Sequence, residues 1–391
     1  MRKKLMAVAV AGALAVPAMA FAQASNVQIY GRAHLGIDQY QAKGATGGSA
    51  FDLKNRTRVY DYTSRIGFRG VENLGGGLRA LFLMESGVNI DTGNNLNQQG
   101  LPNTSTGFLS SRIGHVGLSG NWGQLTFGRS NVWWGNGRND QAVSSYLSGN
   151  TVGVFSGTFG RGMSVAITRT SSTVQYTSPT FSGFNAVLSY SPQRQEAQGV
   201  NLNADGRVMG VTVAGQYGQF IGGYDWAKDE GNTPVAGNQG SNTGNKLRAG
   251  WQYQPGAQVS LLYIVTKLQN GGAAGGGGVD PTSNSVSQKA WGLSWEHVFG
   301  NIQGIAQFAK IRDATGCTVS ATCANTNATE YTVAARYLFS KRTAAYLSYG
   351  TIRNASNYNA EYTTYTAGLL PAVGSRGADP RVWALGLMHN F

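Results

Sequence analysis

The chain holds few residues able to do covalent chemistry: four histidines (His34, His115, His297 and His389) and two cysteines (Cys317 and Cys323). A histidine near a serine and a carboxylate can activate a nucleophile. His34 has Ser64 and Asp38 available, but their spacing matches no triad. His297 and His389 fall on apolar strand faces, as His115 is placed too. The cysteines close Gly316-Cys-Thr-Val-Ser-Ala-Thr-Cys323, and an even thiol count in an exported chain implies a disulfide. Two thiols without a nearby histidine do not make a metal centre, and nothing in the chain asks for a cofactor. What remains is arginine, which stays charged at any working pH and whose planar fork holds carboxylate or phosphate in passing. Strand parity puts Arg32, Arg65 and Arg79 on the water-facing side. Several such charges in a confined space raise the local anion concentration and repel cations.

The elements that must position these arginines are strands. In the last stretch, Arg381-Val-Trp-Ala-Leu-Gly-Leu-Met-His-Asn-Phe391, Trp383, Leu385, Leu387, His389 and Phe391 share one face. That is the period of a strand. A mostly apolar outer face is a liability for a terminal strand in water, and it suits a strand that closes a barrel in lipid, with Phe391 at the closure. The first segment repeats the pattern: Val27, Ile29, Ala33, Leu35 and Ile37 alternate with Gln28, Tyr30, Arg32, His34 and Asp38. Further alternating runs follow, with aromatic residues gathered towards the ends of the apolar faces, as membrane-interface girdles require.

Residues 1–24 form an export signal: a charged Met1-Arg-Lys-Lys4, an apolar run from Leu5 to Val16, and small residues that place cleavage after Ala22 or Ala24. No other run approaches the ~18 apolar residues of a spanning helix. Removing Arg2, Lys3 and Lys4 from 31 basic residues leaves 28 against 18 acidic ones, a net charge of +10. The basic residues are scattered without a block, and an exported chain does not meet nucleic acid, so the charge is read as lining a path for anions. No linker or composition shift divides residues 25–391, which favours one large β domain.

Sixteen antiparallel strands are expected, over residues 27–40, 63–72, 78–89, 110–119, 123–130, 165–177, 183–191 and 207–218, then 220–229, 245–254, 258–269, 289–298, 301–311, 329–339, 343–353 and 381–391. Their connections alternate in length. Short ones include Asn73-Leu-Gly-Gly-Gly77 and Ser340-Lys-Arg-Thr343, and long ones cover 41–62, 90–109, 131–164, 192–206, 230–244, 270–288, 312–328 and 354–380. An even strand number with short turns at one end and long loops at the other is the arrangement of an outer-membrane barrel. The glycine-rich run at 271–278 lacks the Lys-Ser/Thr of a phosphate loop and is read as a flexible external loop.

Several runs resemble the Gram-negative general porins of the β-proteobacterial type: Ser64-Arg-Ile-Gly-Phe-Arg-Gly70, Met84-Glu-Ser-Gly-Val-Asn-Ile-Asp-Thr-Gly93, Leu125-Thr-Phe-Gly-Arg129, Val174-Gln-Tyr-Thr-Ser-Pro179 and Met388-His-Asn-Phe391. The resemblance covers the mature chain in order. It implies a homotrimer of 16-stranded transmembrane β-barrels in the outer membrane. Such barrels have short periplasmic turns, long extracellular loops and a water-filled pore for small anionic or neutral solutes, and they contact outer-membrane lipid and lipopolysaccharide. It further implies that the third external loop, Ser130 to about Met163, folds inward and narrows the channel. Arg112, in Ser111-Arg-Ile113, resembles the family's wall arginine, and Arg129 starts the narrowing loop, which also carries Arg138 and Asp140. Family loops commonly bear several acids. This one has Asp140 alone, which points to a net positive narrow region. The resemblance implies no enzyme. A substrate-specific anion channel on the same barrel, an outer-membrane enzyme centred on His34 and a soluble β-rich adhesin are the alternative readings.

Overall fold

The structure is a computed structural model that describes residues 27–62, 64–93, 109–133, 169–192, 207–230, 241–269, 285–318, 323–362 and 373–391. The first strands are β1 (Gln28–Lys43), β2 (Leu53–Asp61), β3 (Arg65–Gly75), β4 (Leu78–Gly87), β5 (Ile113–Gly120) and β6 (Gly123–Asn131). Then come β7 (Arg169–Thr177), β8 (Phe184–Ser191), β9 (Arg207–Tyr217), β10 (Phe220–Glu230), β11 (Ser241–Gln254) and β12 (Ala257–Gln269). The last are β13 (Ser285–Phe299), β14 (Ile302–Ile311), β15 (Ala328–Leu338), β16 (Thr343–Asn354) and β17 (Asp379–Asn390). From β3 onward each strand pairs antiparallel with the next, and β1 closes the sheet on β17, from Arg32 opposite Asn390 to Lys43 opposite Asp379.

The seventeen strands make sixteen staves, because β2 and β3 share one position in the wall. β2 pairs with β1 over Leu35–Ala42, and β3 pairs with the same strand over Gln28–Arg32. Ser64 marks the break: its N–H donates to Asp61 Oδ1 (2.8 Å), and its hydroxyl accepts from the backbone N–H of His34 (2.9 Å). This corrects one expectation. The connection 41–62 is not all loop: the chain between β1 and β2 covers only 44–52, and 53–61 is wall. Asn55 and Thr57 fall where outward apolar residues would have announced a strand. All sixteen expected strands are present with shifted ends.

Burial is inverted relative to a water-soluble sheet. In β12, Gln258, Ser260 and Thr266 are buried while Val259, Leu261 and Tyr263 are exposed. In β17, Trp383, Leu385 and Leu387 are 51, 58 and 53% exposed. At about 25 cal/mol per Å² of apolar surface left wet, this outside would be strongly unfavourable in water. In hydrocarbon it is the surface that costs nothing, and the closed sheet leaves no unpaired strand edge. Outward aromatics form two belts, with Trp251, Phe299, Tyr337 and Phe339 at the short-turn end and Tyr263, Tyr331 and Trp383 towards the loops.

Closure depends on a glycine. The backbones of Gly31 and Phe391 exchange two hydrogen bonds (3.0 and 3.1 Å), and a Cβ on Gly31 would run into the Phe391 ring. At the short turn between β3 and β4, Gly75, Gly76 and Gly77 have φ of 91, 58 and 81°, a run of left-handed residues that side chains resist. At the loop end, Cys317 and Cys323 are bonded, with Cα atoms 5.8 Å apart. Cys323 packs with Val286 and Ala314, while Asp313 Oδ1 accepts from the N–H of Thr326 (2.8 Å), so the stapled loop is fastened to β13. The glycine-rich run 271–278 lies outside the described residues.

Two outcomes are expected. Intact mass measured without reductant will show Cys317 and Cys323 two hydrogens lighter than the dithiol; two free thiols in exported protein would contradict the bond. Gly31→Leu will overfill the seam at a cost of about 1–3 kcal/mol, lowering the yield of heat-modifiable folded barrel on unboiled gels, whereas Ala50→Leu in the exposed 44–52 connection will not.

Candidate functional site

The inner wall gathers arginines from four separate segments. β1 and β3 place Arg32 directly opposite Arg65. On the next strand, Glu85 stands opposite Gly67, one step from Arg65. Arg112, just ahead of β5, binds Glu85 twice, from its backbone N–H to the Glu85 carbonyl (3.0 Å) and from Nε to Oε1 (2.8 Å). Arg65 Nε lies 3.5 Å from Oε2, and the Tyr30 hydroxyl donates to the same oxygen (3.2 Å). Arg32 Nε donates to Asn390 Oδ1 (2.9 Å), so the closing seam orients it. Arg169, at the start of β7, is within electrostatic reach of Arg112, Glu85, Arg129 and Arg65. The group therefore gathers four guanidinium charges: Arg65 and Arg112 on the carboxylate of Glu85, Arg169 within electrostatic reach of it, and Arg32 opposite Arg65.

The structure places Arg32, Arg65 and Arg112 near one another on the inner face. Arg79 lies elsewhere. It is exposed, opposite Ser119 beside the glycine turn, roughly 20 Å along β4 from Glu85 at about 3.4 Å per residue. Arg129 sits in a bulge between Gly128 and Ser130 and braces the wall, donating to the Ser111 carbonyl (3.2 Å) and the Ser171 hydroxyl (2.7 Å). Arg138 and Asp140 lie outside the described residues. Sequence reasoning gave no role to Glu85 or Arg169. The one available signal for Glu85 was an acid closing the apolar run Leu81-Phe-Leu-Met84.

His34 sits on the inner face but is not part of a triad. Its Nε2 meets the Tyr346 hydroxyl (2.9 Å), while Ser64 holds its backbone N–H. Asp38 is occupied by Arg58 (2.8 and 3.0 Å) and the Tyr62 hydroxyl (3.0 Å). His115 pairs with Leu83 on the same face as Glu85, so the register turns it inward, against the lipid-facing expectation. His297 is outward as expected, ringed by Trp295 and Phe299.

Beyond Asn131 the chain leaves β6 and enters the lumen. Val132 meets the backbone position of Gly210 on β9, and Trp133 meets Gly244 on β11. Lys246, wholly buried, donates to the Trp133 carbonyl (3.2 Å) and lies 5.5 Å from its ring centroid. Beneath it, Asp225 holds Arg248 (2.8 Å) and Lys246 (3.6 Å) and accepts from the Thr212 hydroxyl (2.7 Å). The first residues of the third loop thus cross to the wall formed by β9–β11. At the loop end of the lumen, Trp133 joins a buried apolar cluster with Ile264, Ile311, Ile352, Tyr358 and Tyr362.

A closed antiparallel barrel with a polar inside, an apolar outside and a charged inner wall is an outer-membrane channel. The Gram-negative porin family model matches residues 7–357, and the chain belongs to that family. Outer membrane porin protein 32 of Delftia acidovorans is 33% identical over 230 residues, which span 57% of this chain and 55% of that protein. Major outer membrane protein P.IB of Neisseria gonorrhoeae is 28% identical over 380 residues, 95% of this chain and 99% of its own. Among solved structures, an anion-selective porin from Comamonas acidovorans superposes with a TM-score of 0.70 at 22% identity, covering 94% of this chain and all of that one. The trimer form of OmpT from Vibrio cholerae gives 0.61 at 15% identity, covering 94% and 100%. The protein is thus an outer-membrane β-barrel that provides a diffusion channel. Fold and family point to a channel rather than an enzyme.

Asp225→Asn will leave Lys246 and Arg248 buried against a neutral partner. About 3–5 kcal/mol of stability should be lost, and the barrel should lose its folded gel mobility at a lower temperature than the wild type.

Proposed function

We propose that the channel passes small hydrophilic solutes and ions passively, with a preference for anions, and that Arg32, Arg65, Arg112 and Arg169 form its selective wall. The observation that carries this reading is the imbalance of charge around Glu85: Arg65 and Arg112 grip the carboxylate, Arg169 lies within its electrostatic reach, and Arg32 stands opposite Arg65. In a lumen bounded by low-dielectric protein and lipid, their uncompensated charge concentrates anions. The inward course of Val132 and Trp133 supports a third loop that narrows the lumen, with Arg129, Arg138 and Asp140 on or beside it. Arg79 has the role of a charge at the periplasmic rim. The mature chain starts after Ala22 or Ala24. It works as a homotrimer, a reading supported by family membership and by the trimeric OmpT relative, in contact with outer-membrane lipid and lipopolysaccharide. No catalytic step, metal or cofactor belongs to this function.

The grip of Arg65 and Arg112 on Glu85 also favours a second reading, in which one carboxylate solute is bound selectively in the same place. Saturable block by that solute at micromolar levels would support it, and linear size-limited flux would support general diffusion.

Reversal potentials across a planar bilayer under a salt gradient will show anion preference in the wild type. Arg65→Ala with Arg112→Ala will shift the potential towards cations by more than Lys246→Ala, because Lys246 is held in an ion pair beneath Trp133. Equal shifts would remove the selective wall from these residues, and a cation-preferring wild type would overturn the reading.

A further inference from the structure

The inner face of β2 carries a group of residues that the selective wall does not use. Arg56, Arg58 and Tyr60 alternate with Thr57 and Val59 and, by register, stand beside Tyr40, Asp38 and Gly36 of β1. Val59 is 62% exposed on the lipid side, next to Ile37, so the other three point into the lumen. Asp38 lies six residues above Arg32 on β1, which sets the group roughly 20 Å to the loop side of Arg65, at about 3.4 Å per residue. Lying inside the barrel, it is not covered where one barrel meets another.

Two of the three side chains are fixed. Asp38, itself buried, accepts from Arg58 Nε (2.8 Å) and Nη2 (3.0 Å), which pins the guanidinium in one orientation. The central carbon of that guanidinium sits 3.9 Å from the centroid of the Tyr60 ring. Tyr60 in turn meets Tyr62 edge to face, with centroids 5.3 Å apart, and the Tyr62 hydroxyl donates to the same aspartate (3.0 Å). Tyr62 lies against Gly36, where an added Cβ would come within 2.9 Å of its ring. Arg58 is thus a flat cation stacked on a flat ring and neutralised by Asp38. Arg56 differs: it is exposed, and among the described residues it forms no hydrogen bond or ion pair. A free cation therefore stands one step, about 7 Å, above a stacked guanidinium and ring.

An isolated cation serves any anion. A guanidinium whose edge is taken by a carboxylate still offers a weakly hydrated face, and such a face beside a tyrosine favours flat conjugated rings over puckered aliphatic ones. The neutralised pair adds little to the passage of a small inorganic anion; it discriminates between solutes that carry rings. We propose that the upper inner face of β2 is a transient binding site for aromatic carboxylates entering from the long-loop end. Arg56 takes the carboxylate with its fork, and the ring lies against Arg58 and Tyr60. The site is separate from the Glu85 group. It rests on the reading of the lumen as an open path for solutes, and not on the preference of the whole channel for anions.

The test uses the full-length exported protein in planar bilayers. Benzoate, cyclohexanecarboxylate and benzyl alcohol are added in turn to a chloride solution, and interruptions of the single-channel current are counted. Benzoate should interrupt the wild-type current at a concentration about fivefold lower than cyclohexanecarboxylate, which has the same charge and a similar size. Benzyl alcohol, a ring without charge, should do nothing at that concentration. Arg56→Gln should weaken both carboxylates about tenfold. Tyr60→Leu should bring the two carboxylates together, and Tyr60→Phe should keep them apart. Each comparison is made within one conducting channel, so a variant that fails to fold leaves the wild-type comparison to decide. Equal interruption by the two carboxylates in the wild type would overturn the site and leave Arg58 and Tyr60 as a brace of the wall. So would discrimination that survives Tyr60→Leu. So would interruption that persists undiminished in Arg56→Gln and is lost with Arg65→Ala plus Arg112→Ala, which would move the binding to the Glu85 group. A wild type that prefers cations but tells the two carboxylates apart would support this site and sink only the proposed selectivity. An anion-preferring wild type blind to the ring would do the reverse.

Discussion

The constraint on which everything else depends is that a backbone amide in hydrocarbon has no water to turn to. Each unmet donor or acceptor there costs several kcal/mol, so a sheet crossing a bilayer must end where it began. In this chain that requirement is met along one seam, where β1 and β17 pair from Arg32 opposite Asn390 to Lys43 opposite Asp379 and the Gly31 and Phe391 backbones complete the ladder. The seam also reaches into the lumen. Asn390 is its last paired residue on β17, and its side chain orients Arg32, so the contact that closes the wall also aims a charge at the lumen.

Once the sheet is closed, electrostatics decides what the interior is for. Guanidinium groups this close repel one another, and no single strand places them together. The barrel imposes the arrangement by stacking β1, β3, β4 and the β5 entry side by side, and Glu85 relieves part of the strain by accepting from Arg112 and Tyr30 and by lying near Arg65. Across the lumen the balance differs. Asp225 meets Lys246 and Arg248 in a buried group covered by Trp133, and its charges serve the docking of the third loop. Basic residues on the two sides of one lumen thus do different work: Lys246 and Arg248 are buried beneath Trp133, whereas Arg65 and Arg112 remain partly exposed to the lumen.

The strands could be read from residue types because alternation with period two is a local signal, and fifteen of the sixteen staves announce themselves in this way. The upper half of the second stave did not, since Asn55 and Thr57 occupy its outward positions. Parity alone placed Arg32 and Arg65 on the inner face. Arg112 needed the family likeness, because it precedes its strand. Glu85 and Arg169 stayed silent for a physical reason: their partners are set by the register between strands, which one-dimensional spacing does not carry. Arg79 shows the converse. Its parity matches that of Glu85, yet height along the barrel, which parity ignores, separates the two.

The divided second stave has a consequence of its own. Registers on the two sides of Ser64 are set by different partners, the upper by β1 and the lower by β1 and β4 together. The gap is also where Asp61 and Ser64 receive the backbone amides of Ile90 and Val88, at the base of the second long connection. A residue gained or lost above the gap therefore need not slip the pairing below it, where one step would turn every side chain to the wrong face. The wall contains an expansion joint. Lineages can lengthen or recast this part of the long-loop rim while the arginine wall a few ångströms beneath keeps its alignment.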